Sequence, residues 1–162
     1  MSTSTSTSAA AATSAPVAAT PAEAPAAAVS ASGDFTYENW EERPVGPADA
    51  GFPRLACASV TNAFTGVVTA PGTTCAYTIS YTGENIGAFT GMELVTGSVG
   101  GREGSFVLEE RGTFDATGAT RCSFEVVPGS ATADLVGLTG SGSFVHRRGD
   151  TSAEYTFTYR LP

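Results

Sequence analysis

The sequence predicts an all-β protein in which eight antiparallel strands form a closed barrel. Short runs of alternating apolar and polar residues recur along the chain, glycine and proline separate them at nearly regular intervals, and no helical period is present. The pattern is clearest between Met92 and Phe144. Strands of this number with tight connections are typical of a barrel or a sandwich, and closure removes the strand edges that favour aggregation.

Phe, Tyr, Val and Thr dominate the eight predicted strands, as is usual for half-buried strands. Only Thr132 to Leu138 is suited to a helical turn. A barrel of eight strands either fills its interior with side chains or holds one small ligand. The predicted strands cover residues 34–42, 53–69, 73–82, 87–96, 104–114, 119–127, 138–147 and 153–161.

The first 33 residues have a different composition from the rest of the chain. They are almost entirely Ala, Ser, Thr and Pro, and Glu23 is their only charged residue. Because so few bulky apolar side chains cannot offset the entropy lost on ordering, residues 1–33 are predicted to be a disordered tail and residues 34–162 the barrel domain. An export signal is the alternative, but the basic start and leucine-rich block of such signals are absent.

The charge of the chain argues against nucleic acids and membranes as partners. It carries 8 Lys and Arg against 16 Asp and Glu, a net charge of −8. A nucleic-acid-binding surface needs a cationic stripe, whereas Arg147-Arg148 is the one basic cluster here. A membrane partner is not expected, because no apolar run reaches the roughly 18 residues that cross a bilayer.

Hairpin geometry predicts which residues face one another. With Gly101-Arg102 as a two-residue loop, Val95 would face Leu108 and Glu93 would face Glu110. Two further hairpins are expected to have three-residue loops, at 83–85 and 116–118, with the last residue left-handed. The resulting pairs are Ile79–Phe89, Tyr77–Gly91, Cys75–Glu93, Leu108–Val126 and Glu110–Phe124.

One continuous face of these strands is mostly apolar and is predicted to line the barrel interior. The opposite face carries mainly Thr, Ser, Arg and Glu, which is typical of a solvated surface. The predicted inner face consists of Phe64, Val68, Cys75, Tyr77, Ile79, Tyr81, Phe89, Val95, Phe106, Leu108, Phe124 and Val126. On this face Glu93 and Glu110 would lie side by side, and the reversed assignment would leave both of them in solvent.

Two carboxylates so close in an apolar surrounding resist double ionisation, so Glu93 and Glu110 would share a proton or recruit a cation. Such a pair can supply one acid and one base at neutral pH. Glu93, Glu110 and Tyr77 are therefore the candidate catalytic residues. The candidate ligand-binding residues are Trp40, Glu42, Cys75, Ile79, Tyr81, Phe89, Phe106, Leu108 and Phe124.

Strand parity changes near Glu38-Asn39, which predicts a bulge that aims Trp40 and Glu42 at the barrel mouth. Trp40 would cap the barrel or stack on a ligand. His146, the only histidine, comes just before a turn, so we expect it at the rim rather than in a metal site.

The three cysteines have no metal-knuckle spacing and fit a reducing compartment, so we expect a cytoplasmic protein without a metal or cofactor. Cys57 has the parity of an outward residue and Cys75 that of an inward one, so a disulfide between them is not expected. Beside carboxylates the thiolate of Cys75 is disfavoured, which favours a core residue over a nucleophile. Cys122 is expected to be inward and inert.

Several segments after residue 33 resemble a known family. They are residues 40–44 (WEERP), 59–61 (SVT), 64–66 (FTG), 91–114 (GMELVTGSVGGREGSFVLEERGTF) and 126–144 (VVPGSATADLVGLTGSGSF). These segments resemble the bacterial domain-of-unknown-function 3224 family, grouped with the allene-oxide-cyclase-like barrels. The resemblance implies an eight-stranded barrel with an apolar lumen and no established activity. The chain departs from the family where Leu94 replaces a common Arg, Phe124 a common Trp and Glu110 a common His.

Two functions agree with this inner face. The first is a cofactor-independent isomerase or cyclase acting on a small apolar, polyketide- or lipid-like molecule, with Glu93 and Glu110 exchanging protons and Tyr77 donating a hydrogen bond. The second is a barrel that binds a small apolar molecule without chemistry. A packed barrel without a ligand is a third alternative, and a homodimer through the outer face is compatible with the pattern.

Overall fold

A computed structural model describes residues 24–47, 49 and 51–162 of the chain. This part folds into nine strands and one short 3₁₀ turn at Ala133–Leu135, and it contains no helix with the length and hydropathy needed to cross a membrane. The strands are β1 (Val29–Val45), β2 (Arg54–Gly66), β3 (Val68–Thr69), β4 (Thr74–Gly83), β5 (Ile86–Val99), β6 (Arg102–Phe114), β7 (Ala119–Val126), β8 (Thr139–Arg147) and β9 (Ala153–Arg160).

The strands form one ring-like antiparallel sheet. Its order is β5-β4-β2-β1-β9-β8-β7-β6, and a further pairing of β6 with β5 joins the two ends. Among the strands that the structure describes, the two-residue β3 pairs with β5 alone. The predicted all-β architecture of eight antiparallel strands is therefore confirmed. The ninth strand arises because the predicted strand 53–69 is broken after Gly66, whose φ of +94° lies in the left-handed region.

The first strand begins earlier than predicted. β1 starts at Val29, and residues 29–33 pair in register with β9 from Tyr159 to Tyr155. The prediction of disorder was therefore wrong for residues 29–33. Backbone hydrogen bonds to β9 offset the entropy that these small residues lose on ordering. Residues 1–23 of the predicted tail lie outside the described residues.

The predicted register of the hairpin between β5 and β6 was wrong by two residues. The turn is formed by Gly100 and Gly101, both left-handed with φ of +56° and +83°, instead of Gly101-Arg102. Consequently Glu93 pairs with Leu108, and Glu110 pairs with Gly91. Because side chains alternate with a period of two, a shift of two residues leaves every side chain on its predicted face.

The other predicted hairpins and the bulge are confirmed. Asn85 and Gly118 have φ of 56° and +83°, and all the residue pairs predicted across their hairpins are present. The β1–β2 register shifts between Glu38 and Glu41, and Asn39 has φ of 57°. This bulge turns Trp40 toward the end of the ring.

Two apolar clusters divide the interior. The larger one is buried and contains Phe106, Leu108 and Phe124, with Leu135 and Leu138 from the connection between β7 and β8 packed against it. The smaller one consists of Ala56, Ala58 and Ile79, with the half-buried Tyr77, Tyr81, Phe89 and Phe114 around it. Glu110 lies where the two clusters meet, because it pairs with Phe124 and contacts Tyr77.

Tyr155 joins the turn after β2 to β9 in the packed cluster. Its hydroxyl accepts a hydrogen bond from the Val68 N–H at 3.0 Å and donates one to the Thr65 carbonyl at 2.9 Å. Tyr155→Phe should lower the free energy of unfolding by about 1–3 kcal/mol, because a buried backbone N–H loses its acceptor. Denaturant titration measures this change.

Tyr159→Phe is the matched control, because Tyr159 lies on the same face of β9 and its hydroxyl makes no hydrogen bond to the described residues. Equal losses of stability in the two variants would contradict this role of the Tyr155 hydroxyl.

Candidate functional site

One end of the ring opens into a cavity of about 420 Å³. Inward side chains of β2, β4 and β5, including Val60, Ile79 and Phe89, form much of its wall. Tyr37, His146 and Arg148 also line it. A concave, mostly apolar space of this size is typical of small-molecule sites.

Aromatic rings give the cavity wall its shape. The Tyr77 and Phe89 rings pack edge to face with their centroids 5.1 Å apart, and Tyr81 and Phe114 do the same at 5.3 Å. Trp40 stacks over Tyr77 with a centroid distance of 6.1 Å. Such contacts restrict the rings, so the wall is held in shape by its own packing.

Glu42 orients two of these aromatic side chains from outside the cavity. Its Oε2 accepts a hydrogen bond from Trp40 Nε1 at 3.3 Å, and its Oε1 accepts one from the Tyr81 hydroxyl at 2.7 Å. Arg54 lies over the Tyr81 ring, 4.9 Å from its centroid. Glu42 is therefore a positioning residue of the mouth.

Glu93 and Glu110 are both buried, with 0% and 2% of their surface exposed. Glu93 Oε1 accepts hydrogen bonds from Asn62 Nδ2 at 2.7 Å and from Thr73 Oγ1 at 2.6 Å. Glu93 Oε2 has no partner among the described residues. The predicted assignment of both glutamates to the interior is therefore confirmed.

Glu110 connects the buried polar residues to the cavity. Its Oε2 accepts a hydrogen bond from the Tyr77 hydroxyl at 2.6 Å, and the Cys122 thiol lies 3.7 Å from the same oxygen. Tyr77 itself lines the cavity. Although Glu93 and Glu110 are not directly paired, they are diagonal neighbours on one face, within reach of long side chains.

Burial and the neighbouring carboxylate keep Glu110 protonated at neutral pH. Desolvation and, after it, a hydrogen bond with the adjacent Glu93 and the charge of Glu93 together raise the pKa of Glu110 from 4.5 to about 9, whereas the hydrogen bonds from Tyr77 and Cys122 oppose the shift. Burial and then the charge of Glu110 also raise the pKa of Tyr77 above its ordinary value. The same two causes raise the pKa of the Cys75 thiol, which agrees with an inert thiol rather than a nucleophile.

Glu42, predicted to bind a ligand, lies outside the cavity, and the other predicted site residues fall into three places. Trp40, Tyr77, Ile79, Tyr81 and Phe89 line the cavity. Glu93, Glu110 and Cys75 are buried and do not line it. Phe106, Leu108 and Phe124, predicted to contact a ligand, belong to the packed cluster instead, because side chains from the β7–β8 connection and β9 fill that end of the interior.

Sequence reasoning missed Asn62 and Thr73, which hold Glu93. Asn62 lies between Val60 and Phe64 at the inward positions of β2, so a polar residue on an apolar face was the available signal. Thr73 precedes β4 and carried no signal. His146 is half-buried at the mouth, and its ring packs edge-on against Tyr37 at 5.5 Å.

The three cysteines are free, and Cys57 lies on the outward face of β2. As predicted, the side chains of Cys57 and Cys75 lie on opposite faces of the sheet. Cys122 is inward as expected and, in addition, contacts Glu110.

The fold and this site together define a class: a ring-like antiparallel β protein with a ligand-sized cavity backed by buried carboxylates. The chain belongs to the family described as "Protein of unknown function (DUF3224)", whose model matches residues 31–159. It is similar to the crystal structure of a DUF3224-family protein of unknown function from Shewanella oneidensis MR-1, with a TM-score of 0.65 and 24% identity over 84% of this chain and 99% of that one. The chain has no match among the curated proteins.

Glu110 should make the stability of the protein depend on pH. The pKa of Glu110 is raised in the folded state. Between pH 4.5 and about 9, the folded chain therefore keeps a proton on Glu110 that the unfolded chain has already released. The free energy of unfolding should therefore fall as pH rises through this range, by up to about 1.4 kcal/mol per pH unit. Glu110→Gln should flatten this slope in denaturant titrations, because glutamine carries no titrating proton.

The groups that face Glu110 are Glu93, Cys75, Tyr77 and Cys122. Glu125→Gln is the control, because Glu125 is exposed on the outward face of β7. The assignment fails when Glu110→Gln and Glu125→Gln show the same dependence on pH as the unmodified chain.

Proposed function

We propose that this protein binds a small, mainly apolar molecule in the cavity at the open end of the ring. The observation that carries this proposal is the cavity of about 420 Å³ with its wall of Ile79, Phe89 and Phe114. An apolar molecule gains free energy by leaving water for such a wall, at about 25 cal/mol per Å² of buried apolar area.

A few polar groups are available to orient the ligand. The Tyr77 hydroxyl donates to Glu110, and its remaining lone pairs can accept a hydrogen bond from a ligand. Asn62 also lines the cavity, and His146 and Arg148 add polar groups at the mouth. A ligand with one or two polar groups on an apolar body fits this distribution.

The three free thiols support a cytoplasmic location.

A blocked cavity tests the binding proposal. N-phenylnaphthylamine, an apolar fluorescent probe, should bind the unmodified chain with a saturable rise in fluorescence. Thr120→Trp should weaken binding by ~tenfold or more, about 1.4 kcal/mol, because Thr120 lines the cavity and the indole would occupy it.

The matched control is Thr113→Trp on the neighbouring strand, where the side chain points outward and is exposed. Thr113→Trp should bind the probe like the unmodified chain. Absence of saturable binding by the unmodified chain, or equal effects of the two tryptophans, would contradict the proposal.

Catalysis by a cofactor-independent isomerase or cyclase is the second candidate function. The observation that favours it is the position of Tyr77, whose ring lines the cavity while its hydroxyl lies 2.6 Å from Glu110. Tyr77 would touch the substrate, and Glu110 and Glu93 behind it would hold one proton between them. Through the phenol the pair would give this proton to one atom of the substrate and recover a proton from another, so the site ends in its starting state. The cavity would hold a flexible chain in a reactive shape and exclude water, and the resemblance to allene-oxide-cyclase-like barrels supports a lipid- or polyketide-like substrate.

A β,γ-unsaturated cyclic ketone tests this candidate, because its conversion to the conjugated isomer needs only proton transfer. The unmodified chain should accelerate the conversion, and Tyr77→Phe should reduce kcat by roughly 10²–10³-fold while the KM changes little. Tyr81→Phe is the control, since Tyr81 lines the same cavity but donates to Glu42 at the mouth. No conversion by the unmodified chain, or equal losses in both variants, would reject this candidate for that probe class.

A further inference from the structure

We propose that Cys75, Glu93 and Glu110 form a binding site for one zinc-like divalent cation behind the cavity wall. One ligand atom from each residue, the thiol sulfur and a carboxylate oxygen from either glutamate, lies within 4.8 Å of the others. All three residues are buried. β4, β5 and β6 supply one ligand each, so three adjacent strands hold the site.

A second, independent observation points to a missing ligand. Glu93 is fully buried, yet its Oε2 has no hydrogen-bond partner among the described residues. Asn62 and Thr73 both donate to the other oxygen, Oε1, so Oε2 is the oxygen that remains available as a metal ligand. In the metal-free chain the proton of Glu110 is the one available partner for this oxygen among the described residues. A cation at this position would replace that proton and neutralise both buried carboxylates.

The negative charge of the two glutamates, which no basic side chain of the described residues neutralises, also favours a cation. The ion pairs found in the described part of the chain are Arg111–Glu109 and Arg121–Asp115, and both are exposed to solvent. No arginine or lysine side chain there pairs with Glu93 or Glu110. Buried carboxylates are ordinarily paired or coordinate a metal ion, so a divalent ion would supply the missing positive charge.

The donor set selects the class of metal. One cysteine sulfur and two carboxylate oxygens suit Zn²⁺, whereas Mg²⁺ and Ca²⁺ prefer oxygen ligands throughout. A fourth position would be open to water or to Cys122, whose thiol lies 3.7 Å from Glu110 Oε2.

The surroundings already resemble those of a metal site. Asn62 and Thr73 hold the Glu93 carboxylate, and Tyr77 holds that of Glu110, so the ligands are oriented by a second layer of hydrogen bonds. Asn62 and Tyr77 both line the cavity, which gives the ion a route from solvent. Binding would release the protons of Cys75 and Glu110 into solvent, as is usual when thiols and carboxyl groups become ligands.

The test is a titration of the metal-free full chain with Cd²⁺, which reports on sulfur ligation through an ultraviolet charge-transfer band. The band should rise to one ion per chain, an excess of Zn²⁺ should displace Cd²⁺, and Zn²⁺ alone should raise the Tm of the metal-free chain. Cys75→Ser should abolish the band, and Glu93→Gln should weaken binding by ~10-fold or more. Cys57→Ser, the matched control, should keep the band because Cys57 lies on the outward face.

X-ray absorption at the zinc edge of the unmodified chain needs no variant and should show sulfur together with oxygen ligands. The proposal is overturned when Cd²⁺ gives no stoichiometric band, when Cys57→Ser removes the band, or when the zinc spectrum lacks sulfur. In each of these cases Glu93 Oε2 would instead share a proton with Glu110. Probe binding in the cavity is measured separately, so either proposal can fail alone.

Discussion

The burial of two carboxyl groups in the interior of a β-sheet ring is the constraint on which the rest of this structure depends. Charged groups are expensive to bury, so Glu93 and Glu110 require nearby donors and a proton or cation. Asn62 and Thr73 supply hydrogen-bond donors to Glu93, and Tyr77 supplies one to Glu110. Because Asn62 and Tyr77 also line the cavity, the same hydrogen bonds that satisfy the buried charge shape the floor of the candidate binding site.

The ring is closed at one end and open at the other for identifiable packing reasons. At the packed end, Leu135 and Leu138 fill the interior beside Phe106, and Gly104 lets the connection before them approach β6, since a β-carbon there would clash with the Thr132 carbonyl. At the open end, the bulge at Asn39 sends Trp40 to the rim. Inside the ring, a ligand-sized space therefore remains at the end where no connecting segment of the described chain folds inward.

The comparison with the Shewanella protein separates fold from function. At 24% identity and a TM-score of 0.65, the two chains share the architecture, which many different interiors can support. Function must therefore be argued from the cavity and the buried cluster of this chain itself. These two features occupy different depths of one interior, and the side chains of Asn62 and Tyr77 contact both.

The alternation of apolar and polar residues was sufficient to predict the strands, the inner face and the burial of Glu93 and Glu110, because side-chain direction in a strand is a local property of the backbone. A register error of two residues did no harm to that assignment, since the period is two. Only the tertiary structure decided how deep each inward residue lies, which placed Phe106 and Phe124 in the packed cluster and Phe89 in the cavity wall. How deep an inward residue lies depends on the stagger of the strands and on connecting segments that are distant in sequence. The contact of Thr73 with Glu93 depends on the same features, and no local sequence pattern indicates it.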